Sequence, residues 1–161
     1  MNNLIKVGMA DANVCKPPDV ITTLGLGSCV GIVLYDPSVK IAGLVHIMLP
    51  DSTKILNNSN KYKFADTGID MLIEEMSRLG ASKRKLVAKI AGGAQMFAFN
   101  NNLEMMRIGD RNVEATKEKL KKLGIPILAE DTGENYGRTI EFDPETGLMT
   151  VKSFGRDLKI L

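Results

Sequence analysis

A cysteine at the end of a glycine-rich segment, Thr23-Leu24-Gly25-Leu26-Gly27-Ser28-Cys29, stands seventeen residues before the chain's one histidine, His46. A thiol within reach of an imidazole is the minimum equipment of a cysteine nucleophile with its base. A buried neutral thiol is unreactive, so the imidazole would have to lower its pKa from about 8.5 for thiolate to form near neutrality. Glycines at 25 and 27 let the backbone bend beside the sulfur and aim the N–H groups of Ser28 or Cys29 at a developing oxyanion. Taken singly, both residues read more plainly. Free cysteine is among the most buried residue types, and His46 lies in an apolar run between Val45 and Ile47. Their pairing beside a glycine turn is what favours chemistry. Thr22 and Thr23 are candidates to orient the imidazole.

Whether the two side chains meet depends on the elements that carry them. Residues 30–35 and 41–49 are β-branched and apolar, and Asp36-Pro37-Ser38-Val39 between them suits a type I turn. They predict a hairpin. A four-residue loop pairs Tyr35 with Lys40, and carrying that count along the strands sets Cys29 directly opposite His46, with Cβ atoms about 4.5–5.5 Å apart. A one-residue slip would send them to opposite faces.

Around the hairpin, residues 4–10 and Val20 to Leu24 are strand candidates separated by Lys16-Pro17-Pro18-Asp19, and residues 50–60 are a polar loop that could border a cleft. Ile69, Leu72, Ile73, Met76 and Leu79 repeat at helical spacing before Gly80, predicting a helix over about 65–79. A second helix runs from Asp110, with Val113, Thr116, Leu120 and Leu123 on one face and Gly124 as its stop. Leu86 to Ile90 and Ile125 to Ala129 are further strands, and Arg138 to Phe142 with Leu148 to Phe154 form a second hairpin. Strands outnumber helices and both hairpins demand antiparallel pairing. The expected fold class is α+β, a layered sandwich of mixed, largely antiparallel β-sheet with flanking helices, formed by one domain over 1–161.

Composition narrows the function. With 44% hydrophobic and 25% charged residues and a formal net charge of +2, neither disorder nor a nucleic-acid surface is expected. The longest apolar stretch, 41–49, is far short of the roughly 20 residues a membrane helix needs, and the amino terminus has no leader pattern, so a cytoplasmic location without membrane insertion is expected. Cys15 and Cys29 read as free thiols. One histidine and no C-x-x-C pair make a metal site unexpected, and no cofactor is expected. Gly25, Gly27 and Gly31 have the wrong spacing for a dinucleotide loop and run into a strand where that motif needs a helix, which leaves a nucleotide-binding regulator as a poor third reading. Glu130-Asp131-Thr132-Gly133-Glu134-Asn135 lacks calcium-ligand spacing and reads as a turn. Gly92-Gly93 reads as a tight strand exit, followed by Met96 and Phe97, candidate anchors for a protein partner if exposed.

Taken together, Thr23–Val30, His46-Ile47-Met48-Leu49-Pro50-Asp51-Ser52, Ala88–Ala94, Ile108-Gly109-Asp110-Arg111-Asn112 and Glu130-Asp131-Thr132-Gly133 resemble, in order along nearly the whole chain, the chemoreceptor glutamine deamidases of the CheD family. The resemblance implies a catalytic set on Cys29, His46 and Thr23, an oxyanion held by backbone N–H groups of Gly27, Ser28 and Cys29, and conversion of receptor glutamine side chains to glutamate with release of ammonia. It further implies methyl-accepting chemotaxis receptors as substrates, recruitment to receptor arrays, the phosphatase CheC as a competing partner, and a fold similar to toxin-type glutamine deamidases. An alternative is a module that chiefly binds and regulates CheC, with catalysis minor. Two departures stand out: Glu134 replaces a customary second glycine, and residues 54–63 are rich in Asn and Lys.

Overall fold

A computed structural model of the protein describes residues 3–96 and 107–161. Among them the chain forms strands β1 (Leu4–Val7), β2 (Ala12–Cys15), β3 (Val20–Leu26), β4 (Val30–Asp36), β5 (Ile41–Ile47), β6 (Val87–Gly92), β7 (Ile127–Thr132), β8 (Arg138–Asp143), β9 (Leu148–Lys152) and β10 (Lys159–Ile160), with helices α1 (Ala65–Leu79) and α2 (Ile108–Lys122). Two five-stranded sheets, ordered β1-β3-β8-β9-β10 and β2-β5-β4-β6-β7, are mixed. In each, a single parallel pair, β1 with β3 and β6 with β7, joins otherwise antiparallel neighbours. This is the expected α+β class.

Alternation along β4 and β5 explains the layering. Val30, Ile32, Leu34, Ile41, Val45 and Ile47 point to the helix side and pack with Ile69, Leu72 and Met76 of α1. Val33, Tyr35, Ala42 and Leu44 point the other way, onto Ile21, Leu26, Ile140, Phe142 and Met149 of the first sheet. Both strands are therefore buried on both faces, which is why they read as continuous apolar runs. Gly43 lets α1 approach closely, since a Cβ there would lie 2.7 Å from Leu72 Cδ1. The order is sheet, sheet, helices.

The first hairpin forms with a different register from the expected one. Tyr35 pairs with Ala42, Asp36 with Ile41 and Gly31 with His46. The loop is 37–40 rather than 36–39 because Asp36 stays in the strand, its carboxylate accepting from Ser38 N–H and Oγ and from Ser82 N–H, while Lys40 takes a left-handed φ of 55°. A shift of two preserves the faces.

Three other expectations change. The run 4–10 ends at Val7, and a separate strand, β2, follows Ala10 (φ 54°) into the other sheet, where it flanks β5. Helix α2 begins two residues before Asp110, at Ile108. The acidic segment is strand to Thr132, and the turn itself falls on Gly133 (φ 80°) and Glu134 (φ 61°), so the residue that replaces the customary glycine is held left-handed. The second hairpin matches its expectation, with Phe142 opposite Met149.

Candidate active site

Thr23 comes from β3 in one sheet and His46 from β5 in the other, and they meet in the layer between the sheets. Both are buried, at 1% and 0% exposure. Thr23 Oγ1 donates to Val7 O at 2.7 Å and lies 2.8 Å from His46 Nδ1. A hydroxyl has one proton, and a carbonyl can only accept, so the proton is spent on Val7 and Nδ1–H must donate to Thr23. The imidazole is thereby assigned the tautomer with its lone pair on Nε2, and that atom is buried without a hydrogen-bond partner. Burial depresses the His46 pKa to about 4, so the ring is neutral near neutral pH.

Cys29 sits just before β4, on the face that continues through Gly31, whose ladder partner is His46. The relation is diagonal rather than directly opposed, for which a regular ladder gives about 7–8 Å. The face is as expected; the register is not. A side chain at 31 would crowd the tips of Ile140 and Leu26, whose Cδ1 atoms would lie 2.9 and 3.1 Å from its Cβ. Burial pushes the Cys29 thiol above its ordinary value, offset in part by a hydrogen bond from its own backbone N–H. The resting pair is therefore a neutral thiol and a neutral imidazole, not the thiolate expected from lowering of the thiol pKa. Cys15 is also free, but burial raises its pKa to about 12, which leaves it inert.

The loop 27–29 is fixed by its carbonyls. Gly27 O accepts from Ala94 N–H at 2.9 Å, Cys29 O from Gly93 N–H at 2.8 Å and Ser28 O from Asn112 Nδ2 at 2.9 Å. In a trans peptide the following N–H points opposite to its carbonyl, so the Ser28 and Cys29 N–H groups are turned away from these anchors. Gly27 N–H closes a tight turn on Gly25 O at 3.1 Å, which leaves Ser28 N–H without a backbone partner, while Cys29 N–H is shared with its own sulfur. Gly92 (φ 111°) permits the approach: a Cβ on it would lie 2.2 Å from Cys29 O. The sequence marks Gly92-Gly93 only as a strand exit, without the contact that needs them.

Other supports had no individual signal in the sequence. Asn112 of α2 bonds both Ser28 O and Met48 O. Arg138, 2% exposed, pairs with Asp131 at 3.0 Å and donates to Gly133 O at 3.0 Å, and Lys159 completes the cluster on Asp131 at 2.9 Å. These tie the turn at 133 to the strand that faces Leu26. Met96 is 45% exposed and lies over Gly27, 3.3 Å from where a Cβ would stand. Phe97 lies outside the described residues. Thr22 turns away from the imidazole to Ile140 O. The polar loop after His46 borders a cleft of about 350 Å³ lined by Pro50, Asp51, Asp66, Glu118 and Lys122, but neither Cys29 nor His46 lines it. Among the described residues no cluster of three or more His, Cys, Asp or Glu could hold a metal ion, and no helix is long and apolar enough to cross a membrane.

A neutral thiol, a buried imidazole whose Nε2 has no partner and the Ser28 and Cys29 N–H groups turned from their carbonyl anchors are equipment for attack on a carbonyl carbon. The chain belongs to the CheD family. The profile described as CheD chemotactic sensory transduction matches residues 48–153, a span that begins just after His46. Relatives extend the likeness over the whole site: a probable chemoreceptor glutamine deamidase CheD of Lachnoclostridium phytofermentans is 69% identical over 159 residues, covering 99% of each chain. One of Caldanaerobacter subterraneus subsp. tengcongensis is 64% identical over 99% of each, and the chemoreceptor glutamine deamidase CheD of Halalkalibacterium halodurans 56% over 95% of each. Among solved structures, the hypothetical protein YfiH of Bacillus licheniformis aligns with a TM-score of 0.47 and 18% identity over 76% of this chain and 50% of its own, too distant to bear on fold or function.

Proposed function

We propose that the protein is a chemoreceptor glutamine deamidase in which Cys29 is the nucleophile, His46 the acid-base group and Thr23 its positioning residue. The observation that carries this reading is the assigned tautomer, a buried imidazole whose Nε2 lone pair has no partner and which shares a face with Cys29. The names of the whole-length relatives support the substrate.

As the Cys29 sulfur attacks the glutamine carboxamide carbon, its proton passes to His46 Nε2 and the carbonyl oxygen takes the negative charge, facing the Ser28 and Cys29 N–H groups. Collapse breaks the C–N bond, and the imidazolium returns its proton so that ammonia leaves. Its low pKa makes it a strong proton donor at this step. Water then attacks the thioester, giving a proton to Nε2, and the thiol is re-formed as glutamate is released.

In the same reading the protein is one cytoplasmic domain recruited to receptor arrays, with CheC as a second partner. The family resemblance supports this, and Met96, exposed beside Gly27, is a candidate contact for a protein partner.

Mass spectrometry of a receptor cytoplasmic fragment tests the chemistry. Amide-to-acid conversion and ammonia release are expected with the wild-type protein and absent with Cys29→Ala and His46→Ala, both verified as folded. Turnover persisting in folded Cys29→Ala sinks the reading.

A further inference from the structure

We infer that Asn112 is a positioning residue that clamps the nucleophile loop to the outgoing end of the histidine strand, fixing the spacing of Cys29 and His46. Its side chain is fully buried on α2, and Nδ2 lies 2.9 Å from Ser28 O and 2.9 Å from Met48 O. Ser28 immediately precedes Cys29 and Met48 follows His46 by two residues, so one NH₂ group spans the two segments that carry the reacting pair. Both acceptors are carbonyls, which settles the amide orientation, since only the nitrogen end can donate to them. The oxygen end is left buried without a partner. The two donated bonds are therefore all that the side chain contributes in hydrogen bonding, and losing them would leave both carbonyls without this donor.

The clamp also sets direction. Holding Ser28 O toward α2 turns the Cys29 N–H of the same peptide away from it. The helix is seated for this by Gly109, where a Cβ would lie 2.5 Å from Ala94 O and 2.6 Å from Gly93 O. The N–H groups of those two residues hold Gly27 O and Cys29 O, so loop and clamp share one foundation.

The inference rests on the proposed roles of Cys29 and His46, and its test separates the two. Asn112→Ala and the isosteric Asn112→Asp, which presents only acceptors when ionised, are compared with wild type on a receptor fragment at temperatures where each is folded. The expected result is kcat lower by about 10- to 100-fold with KM within about twofold. The pH profile should change shape as well. A coupled neutral pair gives kcat/KM nearly flat through neutrality, whereas an uncoupled thiol gives a rate that climbs about tenfold per pH unit with its thiolate. Asn112→Ser, retaining one donor on a shorter arm, should fall between. Unchanged kcat in folded variants, a loss confined to KM, or an unaltered profile overturns the proposal, as does failure of all three variants to fold, which makes the residue structural. Should Cys29→Ala retain activity, the parent reading fails instead. The clamp is then still decided in wild-type protein by ¹⁵N spectroscopy, where slow exchange of both Asn112 Nδ2 protons is expected and rapid exchange refutes it.

Discussion

His46 donates from Nδ1 to Thr23 Oγ1 across 2.8 Å, a hydrogen bond that joins side chains from two different sheets. Because Thr23 spends its proton on Val7 O, the tautomer of the His46 imidazole is set by a backbone carbonyl in β1, a strand that carries none of Cys29, His46 and Thr23.

Thr23→Val should therefore lose both the orientation and the tautomer preference of His46 while keeping the shape of the side chain. We expect kcat to fall by about 10²-fold, within the range of general acid–base contributions. Stability should fall by about 1–3 kcal/mol from the unpaired buried groups. Thr23→Ser, which keeps the hydroxyl, should recover most of the rate. Equal activity of the Val and Ser variants in steady-state assays would remove Thr23 from the mechanism.

The depressed pKa of His46 makes a stability prediction with a definite sign. The unfolded ring takes up a proton near pH 6.5, while the folded one does so only near 4, so between these values the unfolded state binds more protons and stability falls as pH falls. At about 1.4 kcal/mol per pH unit the loss approaches 3 kcal/mol at most by pH 4. Denaturant titrations of wild type and His46→Asn measure it: the difference between them should narrow as pH drops from 7 toward 4. A constant difference would show that His46 titrates as an ordinary surface histidine.

Gly92→Ala should be severe, because the φ of 111° is unfavourable for an L-residue and the new Cβ would sit 2.2 Å from Cys29 O. The loss should exceed about 2 kcal/mol in thermal unfolding, with activity reduced further because the displaced atom belongs to Cys29 itself. Gly8→Ala, at a position with nothing within 4 Å of the added carbon, is the control and should be nearly silent.

Asp131→Ala removes the anionic partner of Arg138, whose side chain is fully buried and whose Nη2 already lacks a partner. Burial by itself would raise the Asp131 pKa, but hydrogen bonds from Lys159 and Arg138 hold it below the ordinary value. Leaving the guanidinium uncompensated should cost about 3–5 kcal/mol, measured by chemical unfolding. A loss under about 1 kcal/mol would mean that solvent or another group takes over the charge.

Most of the layering was legible in the sequence. The two-sided burial of β4 and β5 is written as unbroken apolar runs, and α1 as a helical stripe ending at Gly80. The site residues were legible as a set because Cys29 and His46 share a face under either hairpin register, a consequence of the two-residue period of a strand. The register itself was not, since it depends on where Asp36 places its carboxylate, and one of its partners, Ser82, is 46 residues away. The roles of Asn112, which the sequence picks out only as the end of the Ile108–Asn112 motif, and of Arg138 were not legible for the same reason. Asn112 donates to the carbonyls of Ser28 and Met48 and Arg138 to that of Gly92, 46 residues away, and a carbonyl belongs to every residue type and so leaves no trace in the letters.

The placement of Thr23 and His46 on opposing sheets has a consequence for partly folded forms. A chain whose sheets have formed but not yet docked holds Cys29, its loop and the His46 imidazole on one sheet, yet leaves that imidazole without the Thr23 hydrogen bond that sets its tautomer. Under the proposed roles of Cys29 and His46, turnover is then a signal that the two sheets have come together.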